Sequence, residues 1–168
     1  MPHRPVIDGF EFARAGSRLG GEWPVSDFPR LKDALYADSG TLHYALQGVP
    51  EEQGRPALHL SVRATLQLTC QRCLGAMDYE LRAESALLLY PSEVELGGPE
   101  LDAGGPERVV GGKEMAVHDL IEDEVLLSIP LAPRHEQCAA RPAGEAEARQ
   151  KPFAGLRGLL GGKHGLNT

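Results

Sequence analysis

Four residues of this 168-residue chain are of types that bind metal ions and stand in two closely spaced pairs. Cys70 and Cys73 form a Cys-x-x-Cys pair, and His135 stands three residues before Cys138. Two thiolates at this spacing suit a tetrahedral ion, and three sulfurs with one nitrogen form a set that structural zinc takes. The spacing therefore predicts one structural zinc ion. The alternative is that the cysteines are small core residues and His135 lies on the surface.

A Cys-x-x-Cys pair also occurs in thiol oxidoreductases, where a helix begins at the motif and lowers the pKa of the first thiol. In this chain Met77, Tyr79 and Leu81 alternate with other residues after Cys73, which is typical of a strand. This pattern disfavours a redox role. Three cysteines also argue against a disulfide framework, because such frameworks favour even counts in small secreted domains.

The cysteine pair stands between two strand patterns. Residues 57–70 alternate strictly, with Leu58, Leu60, Val62, Ala64, Leu66 and Leu68 on one side. Residues 76–90 form a second apolar run, and 41–47 a third. We predict strands over these ranges, with a hairpin loop over 48–54. The residues Ser26, Asp27 and Pro29 ahead of Leu31 predict a helix over 27–37.

Residues 117–129 change to a helical period. The apolar arc holds Val117, Leu120, Ile121, Val125, Leu127 and Ile129. The polar arc holds Asp119, Glu122 and Asp123, with Leu126 as an apolar exception. Glu124 falls on the apolar arc, where an unpaired carboxylate would be costly. We expect it to find a cation such as Arg72, Arg82 or Arg134, a backbone donor or the domain edge.

Charge and composition divide the chain at residue 138. Residues 1–138 hold 12 Lys and Arg against 22 Asp and Glu, whereas residues 139–168 hold 5 against 2. We predict one α+β domain over 1–138, an antiparallel sheet with a few packing helices. Within it, 91–107 is rich in Gly, Pro and acidic residues and predicts a solvated loop. Residues 139–168 predict a flexible linker and a short C-terminal segment.

Nothing in the sequence requires an enzyme. The chain has no glycine-rich nucleotide loop, no His-Glu-x-x-His and no Gly-x-Ser-x-Gly. Its apolar runs are far shorter than the ~20 residues of a membrane helix, and the N-terminus does not resemble a secretion signal, so we expect a cytoplasmic protein. The acidic domain opposes the basic stripe that nucleic-acid binding demands and favours a basic protein partner.

Four blocks together resemble the YceD-like family, the bacterial large ribosomal RNA subunit accumulation proteins. They are Leu66-x-Leu68-x-Cys70-Gln71-Arg72-Cys73-Leu74; Asp119-Leu120-Ile121-Glu122-Asp123-Glu124-x-Leu126-Leu127-x-Ile129-Pro130; Pro133-x-His135 followed by Cys138; and Pro152-Phe153-Ala154-x-Leu156. The resemblance implies a non-enzymatic role in the synthesis, processing or stability of 23S ribosomal RNA. It also implies a partner, since the family's genes typically neighbour that of a small basic large-subunit ribosomal protein.

From these blocks we expect the partner, a basic ribosomal protein or a pre-ribosomal particle, to contact a set of residues spread over three of them. The set is Arg72, Glu122, Asp123, Glu124, Pro152, Phe153 and Leu156. The alternative is direct binding of ribosomal RNA through Arg63, Arg72, Arg82, Arg134 and the basic tail, braced by a zinc turn.

Overall fold

The computed structural model describes residues 4–97 and 105–138, and it confirms the α+β class. The strands are β1 (Val6–Ile7), β2 (Arg18–Pro24), β3 (Leu35–Ala37), β4 (Thr41–Glu52), β5 (Arg55–Thr69), β6 (Ala76–Tyr90), β7 (Glu107–Val110) and β8 (Met115–Ala116). The helices are α1 (Gly9–Arg14), α2 (Glu93–Leu96) and α3 (Val117–Ser128), and two 3₁₀ turns cover Val25–Asp27 and Pro29–Leu31.

Most strands belong to one sheet in the order β2-β4-β5-β6-β7, and β3 pairs with β5. The pairs among the long strands β4, β5 and β6 are antiparallel, as predicted. β7 runs parallel to β6 and makes the edge of the sheet mixed. β1 and β8 form a separate antiparallel ribbon.

The three predicted strands are present, and each is longer than or close to its predicted range. β4 and β5 are joined by a two-residue turn, in which Gln53 and Gly54 have φ of 51° and 78°. Positive φ at both positions is the hairpin geometry that follows the right-handed twist of the strands. The turn therefore falls within the predicted loop, but β4 runs through most of it.

One face of the sheet holds the main core, and the other is wet apart from a small buried cluster at Ala57, Leu88 and Tyr90. Along β5 the apolar residues Leu58, Leu60, Val62, Leu66 and Leu68 are buried, whereas His59 and Arg63 are exposed. Helix α3 packs over the core face, with Val117, Ile121 and Val125 fully buried in the same cluster. The alternation in the sequence therefore identified the inner face of the central strand.

The prediction of a helix over 27–37 is wrong. Two 3₁₀ turns occupy its first part, and Leu35 lies in β3, opposite Leu68 of β5. Phe28, which precedes Pro29, is extended, because proline disfavours a helical residue before it. Val25, Phe28 and Leu31 are all fully buried. Their spacing of three residues fits the 3₁₀ period, but residues three apart also share a face of an α-helix, so the spacing alone does not distinguish the two.

Helix α3 begins and ends as predicted, but the predicted faces are partly wrong. Glu122, placed on the polar arc, is buried with 3% exposure, and Leu127, placed on the apolar arc, is 72% exposed. Glu122 accepts a hydrogen bond from the backbone N–H of Arg30 at 2.7 Å. The helix is therefore rotated so that its inner side includes a carboxylate bonded to the second 3₁₀ turn.

The predicted linker and C-terminal segment, 139–168, lie outside the described residues, as does part of the predicted acidic loop. The described parts of that range are not all loop: α2 lies near its start, and β7 begins at its last residue. The longest helix of the described part, α3, has 12 residues, and none there could cross a membrane.

Candidate metal centre

Residues 70–75 form a tight turn between β5 and β6 that carries the first cysteine pair. The N–H of Leu74 donates to the carbonyl oxygen of Cys70 at 2.9 Å, and the N–H of Cys70 donates to that of Gly75 at 2.9 Å. Leu74 closes the turn with φ of 60°, a left-handed conformation that leucine rarely adopts. These bonds fix the backbone that separates Cys70 from Cys73.

The second pair reaches this turn from the end of α3. Pro130 ends the helix, and Ile129 before it is extended. The N–H of Gln71 then donates to the carbonyl oxygen of Pro133 at 2.8 Å, and the guanidinium of Arg72 donates to that of Cys138 at 3.2 Å. Two hydrogen bonds thus hold the 133–138 segment against the turn.

The four predicted ligands converge. The candidate ligand atoms of Cys70, Cys73, His135 and Cys138 all lie within 4.8 Å of one another. The Sγ atoms of Cys70 and Cys138 are 3.7 Å apart, and Cys73 Sγ lies 3.5 Å from His135 Nδ1. In a tetrahedral zinc site, Zn–S of ~2.3 Å and Zn–N of ~2.0 Å place ligands about 3.8 Å (S to S) and 3.5 Å (S to N) apart. These two separations are edges of such a tetrahedron.

The imidazole of His135 is oriented for metal binding by a bond on its far side. Its Nε2 lies 3.0 Å from the carbonyl oxygen of Ala76. Because a carbonyl only accepts, Nε2 carries the proton in this bond and Nδ1 presents its lone pair to the cysteines. A backbone carbonyl that fixes the tautomer in this way is a regular partner of metal-binding histidines.

The pKa values of two of the thiols are shifted in opposite directions. Hydrogen bonds from backbone N–H groups, first that of Cys73 and then those of His135 and Arg72, lower the pKa of Cys70 to about 5. Burial raises the pKa of Cys138, and the neighbouring sulfurs of Cys70 and Cys73 raise it further. Without an ion, the site therefore favours the thiolate at Cys70 and the thiol at Cys138. A divalent cation among them would favour the thiolate at both positions.

The geometry is less suited to redox chemistry. Cys70 is fully buried, so its thiolate is not an exposed nucleophile. The chain continues from the turn into strand β6 and not into a helix. All three cysteines are free, and the 3.7 Å between Cys70 and Cys138 is far longer than a disulfide bond of about 2.05 Å. A low thiol pKa is equally a property of a metal-binding cysteine.

The residues predicted to bind a partner lie in different environments. Arg72 is exposed beside the metal centre. Of the acidic run on α3, Glu122 and Glu124 are buried, and Asp123 is exposed and pairs with Arg30 at 2.5 Å. Glu124 accepts a 3.4 Å hydrogen bond from the hydroxyl of Ser128, so its partner is a helix neighbour and none of the three expected arginines. The assignment of these four residues to partner binding stays a prediction.

Pro152, Phe153 and Leu156 lie outside the described residues, and their assignment to partner binding also stays a prediction. Sequence reasoning missed the residues that support the metal centre through backbone atoms, namely Ala76, Pro133 and the left-handed Leu74. Carbonyl and N–H groups are common to nearly all residues, so no side-chain pattern indicated them.

Comparison with known families gives a match over residues 58–160 to the family described as large ribosomal RNA subunit accumulation protein YceD. The matched range includes most of β5, all of β6 and α3, and all four residues of the candidate metal centre. Searches of curated proteins and of solved structures gave no match. Because the matched range covers more than half of the chain, the protein belongs to the YceD family of large ribosomal RNA subunit accumulation proteins.

Proposed function

We propose that this protein is a non-enzymatic, cytoplasmic ribosome-biogenesis factor. It supports the synthesis, processing or stability of 23S ribosomal RNA through a basic large-subunit ribosomal protein or a pre-ribosomal particle. The observation that carries the proposal is the family match, whose description names accumulation of the large ribosomal RNA. That description specifies neither partner nor mechanism, and both are argued from the chemistry of the chain.

Charge supports a basic protein partner. Residues 1–138 carry 22 Asp and Glu against 12 Lys and Arg. On the wet face of the sheet Arg63 and Arg82 stand opposite each other, but each faces a glutamate, Glu84 at 3.9 Å and Glu80 at 3.4 Å. The sheet face is therefore balanced in charge, which does not suit a polyanion. An acidic surface instead attracts and orients basic proteins.

The metal centre supports a structural role. Four protein ligands fill a tetrahedral site and leave no position for water or substrate, which distinguishes structural from catalytic zinc. The ion that we propose would tie the end of α3 to the β5–β6 turn. Its contribution would be to hold Arg72 and the 133–138 segment in place at one end of the domain.

Affinity purification tests the partner. The tagged full-length chain is captured from bacterial lysate at low and at raised salt, beside an unrelated acidic protein of similar net charge. We expect a basic large-subunit protein or a pre-ribosomal particle to be enriched at low salt and to be reduced at raised salt, because exposed charges are screened. If no ribosomal component is enriched over the unrelated protein, the proposal fails.

Two matched variants locate the contact. One neutralises exposed carboxylates of α3, Asp119→Asn with Asp123→Asn, and the other neutralises exposed carboxylates of the sheet, Glu80→Gln with Glu84→Gln. Both remove the same charge. We expect the α3 variant to lose more of the ribosomal partner. Equal losses would mean that net charge alone holds it.

The second candidate function is direct binding of ribosomal RNA at the metal end of the domain. It is favoured by two exposed arginines next to the candidate ligands in the sequence, Arg72 before Cys73 and Arg134 before His135. A gel-shift titration of the purified protein with ribosomal RNA fragments at several salt concentrations decides between the candidates. A salt-dependent shift weakened by Arg72→Ala would favour RNA, and its absence would remove this candidate.

A further inference from the structure

A shallow groove of about 280 Å³ lies between the C-terminal half of α3 and the edge of the sheet. Its apolar lining includes Leu87 of β6, Val109 of β7 and Leu127 of α3. Leu127 is 72% exposed, although it belongs to a helix whose other side is packed in the core. The described part of the chain therefore leaves an apolar surface open at this edge.

Carboxylates border the same groove. Glu107, Asp123 and Glu124 line it, with Arg30 as the one cation among its lining residues. Burial and the charge of Glu124 raise the pKa of Glu107. Arg30 is already paired with Asp123 at 2.5 Å. The remaining carboxylates, the exposed Glu107 and the buried Glu124, therefore form an anionic border with no further cation among the residues that line the groove.

The chain itself contains a segment of complementary chemistry beyond the described residues. Residues 149–163 contain Arg149, Lys151, Arg157 and Lys163 and no acidic residue. Their large apolar residues, Phe153, Leu156, Leu159 and Leu160, stand at helical spacing. The family match extends to residue 160 and so includes this apolar set.

We propose that residues 149–163 dock into the groove between α3 and β7 of the same chain, with apolar side chains against Leu87, Val109 and Leu127 and cations beside Glu107 and Glu124. A segment this short and glycine-rich is marginal as an isolated helix, so it needs a surface to order on. Docking would also bring positive charge to carboxylates that are held close together.

The connection is long enough. Fifteen steps separate Cys138 from Phe153, which span up to about 50 Å when extended. Ala76, beside the metal centre, and Leu87, in the groove, are eleven residues apart on β6, or about 36 Å. A tether of this kind gives a high local concentration of the segment, so weak contacts suffice.

Photocrosslinking in the full-length chain tests the proposal. Leu127→p-benzoylphenylalanine places a photoreactive group in the groove, and Val94→p-benzoylphenylalanine places one on α2, where Val94 is 90% exposed. After irradiation, peptide mass spectrometry locates the crosslinks. We expect the group at 127 to react mainly with residues 149–163 and the group at 94 not to do so.

Variants in the tail and groove provide the matched controls. Phe153→Ser should lower the crosslink yield at position 127 by about tenfold, since it removes the aromatic ring that docking would bury. Leu166→Ser, outside the apolar set, should leave the yield unchanged. Glu107→Lys should lower it as well. Mixing isotope-labelled and unlabelled chains separates crosslinks within a chain from crosslinks between chains. Crosslinks between chains, crosslinks elsewhere or none at all would each overturn docking within the chain.

Discussion

The metal centre and the groove beside α3 both contain several ionisable groups, but the surroundings of these groups differ. At the metal centre the four ligand atoms converge and backbone groups support them: N–H groups lower the pKa of Cys70, and the Ala76 carbonyl accepts from the outer nitrogen of His135. At the groove, burial and the charge of Glu124 raise the pKa of Glu107, beside the exposed Leu127.

The difference separates a closed site from an open one. A closed set of ligands converts binding of an ion into stability of the fold. An open apolar surface with unbalanced carboxylates costs stability and is typical of recognition. Variants at the metal centre should therefore change stability strongly, whereas variants around the groove should change stability only slightly and act mainly on binding.

The largest expected effect is at the metal centre. Cys70→Ser removes the buried ligand whose thiolate the backbone stabilises, and we expect the melting temperature to fall by about 10 °C or more. A chelator should lower the melting temperature of the parent protein and hardly change that of the variant. Gln71→Ala, an exposed position in the same turn, is the control and should behave as the parent does. An unchanged chelator response in Cys70→Ser would contradict the closed site.

The next effect concerns how α3 is anchored. Glu122→Ala leaves the N–H of Arg30 without its 2.7 Å acceptor and should cost about 1–3 kcal/mol in the free energy of unfolding. Chemical denaturation measures it. Glu114→Ala, at an exposed position, should stay within about 0.5 kcal/mol of the parent. Equal costs for the two variants would mean that Glu122 faces solvent.

A smaller effect is expected where the metal turn closes. Leu74→Gly relieves a left-handed leucine, worth about 1–2 kcal/mol, and loses about 0.5–1 kcal/mol through the more flexible unfolded chain. The melting temperature should therefore rise slightly. Leu131→Gly is the control at an exposed position without positive φ. It relieves no strain and only makes the unfolded chain more flexible, so it should lower the melting temperature. A fall in both variants would contradict strain at Leu74.

The smallest effect is at the groove and depends on pH. The pKa of Glu107 is raised in the folded protein above its ordinary 4.5, so ionisation destabilises the fold as the pH rises through the raised value. In chains that lack the docking segment, residues 149–168, Glu107→Gln should therefore be slightly more stable than the parent at pH 7, and the difference should vanish at pH 4. Melting curves across this range measure it. A stability advantage that grows towards acid would have the wrong sign.

The metal centre could be predicted from the sequence more completely than the face of α3, and the reason is physical. The Cys-x-x-Cys turn has a fixed bite, and the alternation of β5 and β6 places it at a strand junction, so two local patterns sufficed to find the first ligand pair. That His135 and Cys138 meet it depends on where α3 ends, which Pro130 marks in the sequence.

The face of α3 was harder to predict because its inner side is set by tertiary partners. Glu122 is buried since the backbone of Arg30, 92 residues earlier, offers a donor. The second 3₁₀ turn, which contains Arg30, was predicted as part of an α-helix, because Leu31, Ala34 and Leu35 would share one face of such a helix. One missed turn thus led to two errors.

Zinc content tests the central claim most directly. The full-length protein is purified without chelator and analysed for metals by mass spectrometry, beside Cys138→Ser. We expect about one zinc ion per parent chain, as four protein ligands hold one ion, and much less in the variant. Parent protein without zinc, or a variant that retains all of it, would contradict a structural metal site at Cys70, Cys73, His135 and Cys138.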